Sequence, residues 1–246
     1  RYPLDALMPD PSPAISENLE HIHARIQRAA TAAGRDPAEI RLIAVSKYMP
    51  VEFVHQAIKS GHSIFGENTL QDALEKLQAI PDPRIEWHFI GHLQSNKARL
   101  VPGNFHWLHT LDSLKLARKL SGAWDSTRPP LQVLMQVNIA SDPNKFGLAP
   151  TITAQFASEL LQLDLPGISL RGLMTIGRAN ATPDERRHDF IALRKLRDEI
   201  AAQLGIDTFS ELSMGMSDDF EIAIAEGATM VRVGRSIFGS RPAVRA

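Results

Sequence analysis

The chain has 246 residues, enough to bury roughly 70–75% of its unfolded surface as one large domain. Its 27 basic and 28 acidic residues leave a formal charge of −1, so no global field draws it to nucleic acid or to an anionic membrane surface. It has no cysteine, which excludes disulfides, thiolate metal sites and cysteine nucleophiles and fits a reducing cytoplasm. No apolar run approaches the roughly 20 residues of a membrane-spanning helix.

The opening RYPLDALMPDPSP lacks the apolar core of a signal peptide and reads as a Pro-rich, weakly ordered lead-in over residues 1–13, with one domain expected over 14–246. Ser12 or Ser16 can cap a first helix. Leu19, Ile22, Ile26 and Ala30 recur at helical spacing within it, and Gly34 supplies its stop. A strand–helix rhythm then begins. RLIAVS (41–46) reads as a buried strand, and VEFVHQAIKSG after Pro50 as a helix. HSIFG (62–66) is the second strand, with a helix over 68–78; WHFIG (87–91) is the third, with QSNKARLV as a short helix. FHWLHTL (105–111) is the fourth, and Asp112 is the expected cap of the helix SLKLARKL. LQVLMQVNI (131–139) precedes a helix over 151–163, and SLRGLMTIG (169–177) a long helix over 183–204. FSELSMG (209–215), a helix over 218–226 and TMVRVG (229–234) complete the series.

Eight strand–helix units with short connections predict an α/β fold: a single parallel (β/α)8 TIM-type barrel with an extra N-terminal helix. An open doubly wound sheet is the alternative. Closure is favoured because no βα loop carries a complete GxGxxG and no linker divides the chain.

In a parallel barrel the functional residues sit at the C-terminal strand ends. Those ends here are Ser46–Lys47, Gly66–Glu67–Asn68, Gly91–His92, Asn138, Met174, 213–217 and 232–236. Lys47 directly follows an apolar run. Desolvation there lowers an amine pKa, and a neutral amine attacks carbonyl carbon to give an imine; a strand-end lysine with its ammonium in water is the competing reading. In SMGMSDDFEIAIAEG, small residues precede a helix N-terminus, which suits an anion, although Ser217 can equally be a plain cap. RVGRSIFG places Arg232 at the end of strand eight and Gly234 in the turn beyond it. These two segments are the loops after strands seven and eight, where barrels commonly bind phosphate. Asn68 is either a ligand hydrogen-bonder or a helix N-cap, and Glu67 either a buried acid or a rim charge. His88 and His92 flank Ile90 with no carboxylate read as completing a site, so no metal is expected; Trp87, Phe89 and Trp107 read as packing residues.

AVSKYMP, FGENTLQDALEK, WHFIGHLQSNK, VNIASDPNKFGL, LRGLMTIG and LSMGMSDDFEIAIAEGATMVRVGRSIFG occur in this order over about residues 15–240. With them the chain resembles the pyridoxal phosphate homeostasis proteins, small relatives of the alanine racemase N-terminal barrel. The resemblance implies a cytoplasmic protein holding pyridoxal 5'-phosphate (PLP) as a Schiff base on Lys47. Arg232 would face the pyridine nitrogen, and Asn68 would lie near the ring. Ser217, Gly234 and Arg235, with Met214 and Gly215, would surround the phosphate. Arg235 stands where relatives often carry Thr or Ser, so backbone donation there replaces a hydroxyl.

The implied role is a non-catalytic PLP reservoir and carrier, with apo PLP-dependent enzymes as recipients and a monomeric state. A PLP-dependent amino-acid racemase or lyase of low activity is the alternative, and a cofactor-free aldolase using Lys47 a weaker one. Alanine racemases add a β-domain whose tyrosine supplies a second acid–base group. Here the sequence ends at Ala246, soon after strand eight. Its two tyrosines are Tyr2, in the lead-in, and Tyr48, expected to point away from Lys47.

Overall fold

The computed structural model describes residues 12–240. Eight parallel strands close into a barrel in sequence order: β1 (Arg41–Val45), β2 (Ile64–Glu67), β3 (Glu86–Phe89), β4 (Trp107–Leu111), β5 (Leu131–Gln136), β6 (Ile168–Met174), β7 (Glu211–Ser213) and β8 (Met230–Val233). β8 pairs back onto β1, Ile43 lying beside Arg232, so the expected closure holds and the open sheet does not. The helices are α1 (Ser12–Ala32), α2 (Val51–Lys59), α3 (Leu70–Ala79), α4 (Leu114–Gly122), α5 (Pro150–Gln162), α6 (Pro183–Leu204), α7 (Phe220–Ala225) and α8 (Arg235–Phe238). Short 3-10 turns cover Pro37–Glu39 and Ser95–Leu100.

Strand alternation sorts the side chains into two cores. Leu42, Ala44, Phe65, Trp87, Phe89 and Leu108 face the helices, where complete burial of each large side chain contributes roughly 1.5–3 kcal/mol. Ile43, Trp107, Leu134, Met174 and Met230 form a separate cluster inside the barrel. The expected extra helix has a structural task. α8 is a single turn of 4 residues, too short to cover β8, and α1 packs against α7, α8 and α2 to close the helical ring. Arg35 ties it there by donating to the carbonyls of Ile224 and Ala228, both at 2.8 Å.

Several local expectations need correction. Ser16 lies inside α1 instead of capping it, and most of the 1–13 lead-in lies outside the described residues. α4 is capped by Ser113, not Asp112: the Ser113 Oγ accepts from the Leu116 N–H at 3.2 Å. α7 begins at Phe220, because residues 216–219 form a turn in which the Asp219 N–H donates to the Met216 carbonyl and the Asp219 carboxylate accepts from the Met216 N–H. By contrast α6 has the expected bounds, fixed by a Thr182–Glu185 capping box, Pro183 in the first turn and left-handed Gly205 at its end.

Candidate functional site

A cavity of about 680 Å³ opens at the C-terminal mouth of the barrel. Of the residues singled out from sequence, Lys47, Asn68, Ser217, Arg232, Gly234 and Arg235 line it together. Met174, one of the strand ends named from sequence, also lines it, and Val45, Ile90 and Ile176 supply apolar wall that the sequence reading did not assign. Val45 and Ile90 were findable, being one pleat below Lys47 and one above His88 on inward-facing positions.

Lys47 is held by its backbone. Ser46–Met49 is a tight turn in which the Met49 N–H donates to the Ser46 carbonyl at 3.0 Å, with Lys47 and Tyr48 at its centre. Tyr48 takes a positive φ of 60°, unusual for a side chain of its size, and is half-exposed. Two side chains of α3 brace this turn. The Lys76 ammonium donates to the Ser46 carbonyl at 2.6 Å, to Glu67 Oε1 at 2.8 Å and to Asp72 Oδ2 at 2.9 Å, using its three protons. Asp72 Oδ2 also accepts from the Tyr48 N–H at 2.8 Å, and the Ser46 hydroxyl donates to Glu67 Oε1 at 2.6 Å. Both peptide groups that flank Lys47 are therefore tied to one buried charge cluster. Glu67 is the buried acid of the two alternatives, and burial pushes its carboxyl up to about 7 despite Lys76.

The mouth after β7 and β8 has the expected anion-suited backbone. The turn at 216–219 leaves the N–H groups of its central residues, Ser217 and Asp218, outside its own hydrogen bonding. Gly234 is the N-cap of α8, so the N–H groups of Arg235 and Ser236 have no intrahelical partner. Two residues of the expected phosphate set, Met214 and Gly215, are not among those lining the cavity. The Met214 side chain is fully buried in the core against the helices and does not line the cavity. Gly215 acts through its backbone: its carbonyl accepts from the Arg232 N–H at 3.0 Å, and at a φ of +94° a Cβ would come within 2.6 Å of Ala223 Cβ. The Arg235 guanidinium bonds Asp218 at the rim, at 3.1 and 3.2 Å.

Arg232 enters the cavity floor from β8 and is 5% exposed. It donates to Ser213 Oγ at 2.7 Å and to the Thr175 carbonyl at 2.8 Å. Burial pulls its pKa down to about 10, which leaves it a cation at neutral pH. Asn68 is not the cap of α3, a position held by Thr69; its Oδ1 is buried without a hydrogen-bond partner beside the cavity. His88 and His92 part company: His88 is buried inside the barrel, whereas His92 is exposed and stacks on Phe146 at 3.7 Å between ring centroids. The neighbour overlooked in sequence is Glu86, whose Oε1 lies 2.7 Å from His88 Nε2. Among the described residues no group of three or more His, Asp or Glu is arranged to hold a metal ion, and no helix is long and apolar enough to cross a membrane.

Comparison with known proteins places this geometry. The family description "Alanine racemase, N-terminal domain" matches residues 18–242. A pyridoxal phosphate homeostasis protein of Pseudomonas aeruginosa is 46% identical over 227 residues, covering 92% of this chain and 96% of its own. Two solved structures of PipY from Synechococcus elongatus superpose at TM-scores of 0.81 (without PLP) and 0.79 (with PLP bound), at 36% and 34% identity. Each covers 92% of this chain and 100% of PipY.

Proposed function

The chain belongs to the pyridoxal phosphate homeostasis protein family, and on that premise we propose that it binds PLP at the barrel mouth and holds it for delivery to apo-enzymes of the cytoplasm. The observation that carries this reading is the convergence of Lys47, Asn68, Ser217, Arg232, Gly234 and Arg235 on one cavity. The residues present fit the cofactor. The buried, unpartnered Asn68 Oδ1 is an acceptor suited to a ring hydroxyl, and the paired loops after β7 and β8 offer backbone N–H groups to a phosphate.

Each side chain has a distinct role. The Lys47 amine takes the aldehyde as a Schiff base with loss of water, tethering the ligand. Ser217 adds a hydroxyl to the backbone donors around the phosphate. Arg232 faces the ring nitrogen; being a donor only, it cannot accept a proton from a pyridinium and so favours the unprotonated ring. When bound, PLP supplies an electron sink for amino-acid chemistry, and Arg232 restrains that capacity.

The carrier reading is preferred to a racemase because two-sided proton transfer at Cα needs a second acid–base group opposite the lysine. Among the described residues the other ionisable side chains lining the cavity are Arg232 and the mutually paired Asp218 and Arg235, and half-exposed Tyr48 is not part of the lining. Borohydride reduction of the PLP-loaded protein, followed by peptide mass spectrometry, is expected to fix the cofactor on Lys47; undiminished binding by Lys47→Ala would overturn the site. Transfer to an apo-enzyme that persists in the presence of a free-PLP trap supports delivery. Rapid deuterium incorporation at Cα of both alanine enantiomers makes the protein a racemase instead.

A further inference from the structure

Five polar side chains make an unbroken line through the inside of the barrel, from its N-terminal mouth to the cavity floor. Glu86 opens β3, and its Oε1 lies 2.7 Å from His88 Nε2. His88 Nδ1 lies 2.8 Å from His109 Nε2, on β4. His109 Nδ1 lies 2.8 Å from the Ser213 Oγ at the end of β7, which accepts from Arg232 Nη1 at 2.7 Å. His88, His109 and Ser213 are completely buried. All four ring nitrogens are thus paired, in a space that barrels ordinarily fill with branched apolar side chains.

The direction of every link follows from the first. The Glu86 carboxylate can only accept, so His88 carries its proton on Nε2 and donates to it. A neutral imidazole with its proton on Nε2 accepts at Nδ1, so His109 Nε2–H donates to His88 Nδ1. By the same rule His109 accepts at Nδ1, so the Ser213 hydroxyl gives it its one proton while the Ser213 oxygen accepts from Arg232. Both rings are neutral: burial pulls His88 below its usual value and His109 well below, and Arg232 and Arg41 add to the effect on His109. The charged neighbours agree with this. Arg41 lies 3.9 Å from Glu86 and 2.6 Å from Glu211, with its guanidinium over Trp107, which stacks on His88.

We propose that Ser213, His109 and His88 are positioning residues for Arg232, a one-way hydrogen-bond relay anchored on Glu86 that fixes which edge of the guanidinium meets the ring of bound PLP. The inference rests on the functional reading of Arg232 given above. A free arginine side chain samples many rotamers, and a buried acceptor chain removes that freedom before the ligand arrives. The terminal carboxylate polarises each successive bond towards itself, strengthening the hold on Nη1.

The relay makes a claim about protons that can be read directly. Long-range proton–nitrogen correlation spectra of the 15N-labelled, cofactor-free chain at neutral pH are expected to show both His88 and His109 as the Nε2–H tautomer. An Nδ1–H tautomer or an imidazolium at either position overturns the relay. PLP binding supplies the second arm. His109→Asn keeps an acceptor close to the place of Nδ1, whereas His109→Leu has none. The Leu variant is expected to bind PLP roughly tenfold more weakly, the loss of about one hydrogen bond to a charged group, and the Asn variant close to wild type. Equal affinities of Leu and wild type, or equal losses in Leu and Asn, overturn the positioning role. Should the Leu variant not fold, Ser213→Ala, which removes one oxygen, takes its place with the same expected loss. If PLP is never found on Lys47 of the wild-type chain, the functional reading fails, and the tautomers still decide the relay.

Discussion

The Lys76 ammonium donates to the Ser46 carbonyl at 2.6 Å, one peptide group ahead of the lysine that lines the cavity. With Asp72 holding the Tyr48 N–H, this contact secures a turn in which a non-glycine residue occupies the left-handed region, a conformation costing about 1–2 kcal/mol. Lys76→Met retains the apolar stem but strands Glu67 in the core. Losing one partner of a buried ion pair costs about 3–5 kcal/mol; Glu67 can take up a proton, so the low end is expected in denaturant unfolding. PLP affinity is expected to fall in the Lys47 chain and to be unchanged by the same substitution in a Lys47→Ala background. An equal fall in both backgrounds would show that Lys76 acts on the fold at large and not through the Lys47 turn.

Asn68 is expected to behave in the opposite manner, affecting binding without affecting stability. Its Oδ1 is buried with no partner in the folded chain, so Asn68→Ala removes a group that already lacks a hydrogen bond there. Unfolding free energy is expected to stay within about 0.5 kcal/mol of wild type or to rise slightly. PLP affinity, measured by equilibrium titration, is expected to drop roughly fivefold, corresponding to about 1 kcal/mol. A stability loss with unchanged affinity would move Asn68 from the binding surface to the scaffold.

What the sequence made legible and what it left hidden divide along a physical line. Strand runs, helix stops and the barrel follow from periodicity and local turn chemistry, which act within a few residues. The cavity follows because a parallel barrel gathers C-terminal strand ends wherever they lie in the chain. Met214 was misplaced because a motif was read without its pleat: it follows inward-facing Ser213 and so must face the helices. Glu86, His109 and Lys76 were invisible for another reason. Their partners are set by barrel register, with Ser213 lying 104 residues from His109 and Ser46 lying 30 residues from Lys76. No local pattern encodes such pairs.

Gly91 is the tightest point between two loops of the mouth. A Cβ there would lie 1.9 Å from the Asn68 carbonyl oxygen and 2.8 Å from Asn68 Cα, backbone atoms that cannot rotate away. Gly91→Ala must therefore push the β2–α3 loop outward, and with it the Asn68 side chain. Overpacking of this kind costs about 1–3 kcal/mol, and PLP affinity should fall at least as far as in Asn68→Ala. Wild-type affinity in a folded Gly91→Ala chain would show that the position of Asn68 does not matter to binding.

His62 sets an acid limit on the fold. It is 8% exposed, its Nε2 lies 2.7 Å from the Ile64 carbonyl, and its ring meets Phe65 edge-on at 5.3 Å. Burial first, then the nearby His23, pull its pKa down to about 4, while the Ile64 bond opposes them. The unfolded chain, with an ordinary histidine near 6.5, binds the proton more readily than the folded chain between those values. The His62 contribution to stability is therefore intact above about pH 6.5 and is lost as pH falls towards 4, by roughly 3 kcal/mol at full extent. Glu67 acts with the opposite sign: its raised pKa of about 7 makes the folded state retain a proton, adding stability as pH falls from 7 towards 4.5. The two nearly cancel in the wild-type profile, so the informative quantity is a difference between variants. His62→Gln, which keeps an N–H donor for Ile64 but does not titrate, is expected to gain about 2–3 kcal/mol relative to wild type between pH 7 and 4.5 in denaturant unfolding. Glu67 cancels in that comparison, and a gap independent of pH would mean that His62 becomes charged in the folded protein as readily as in the unfolded chain.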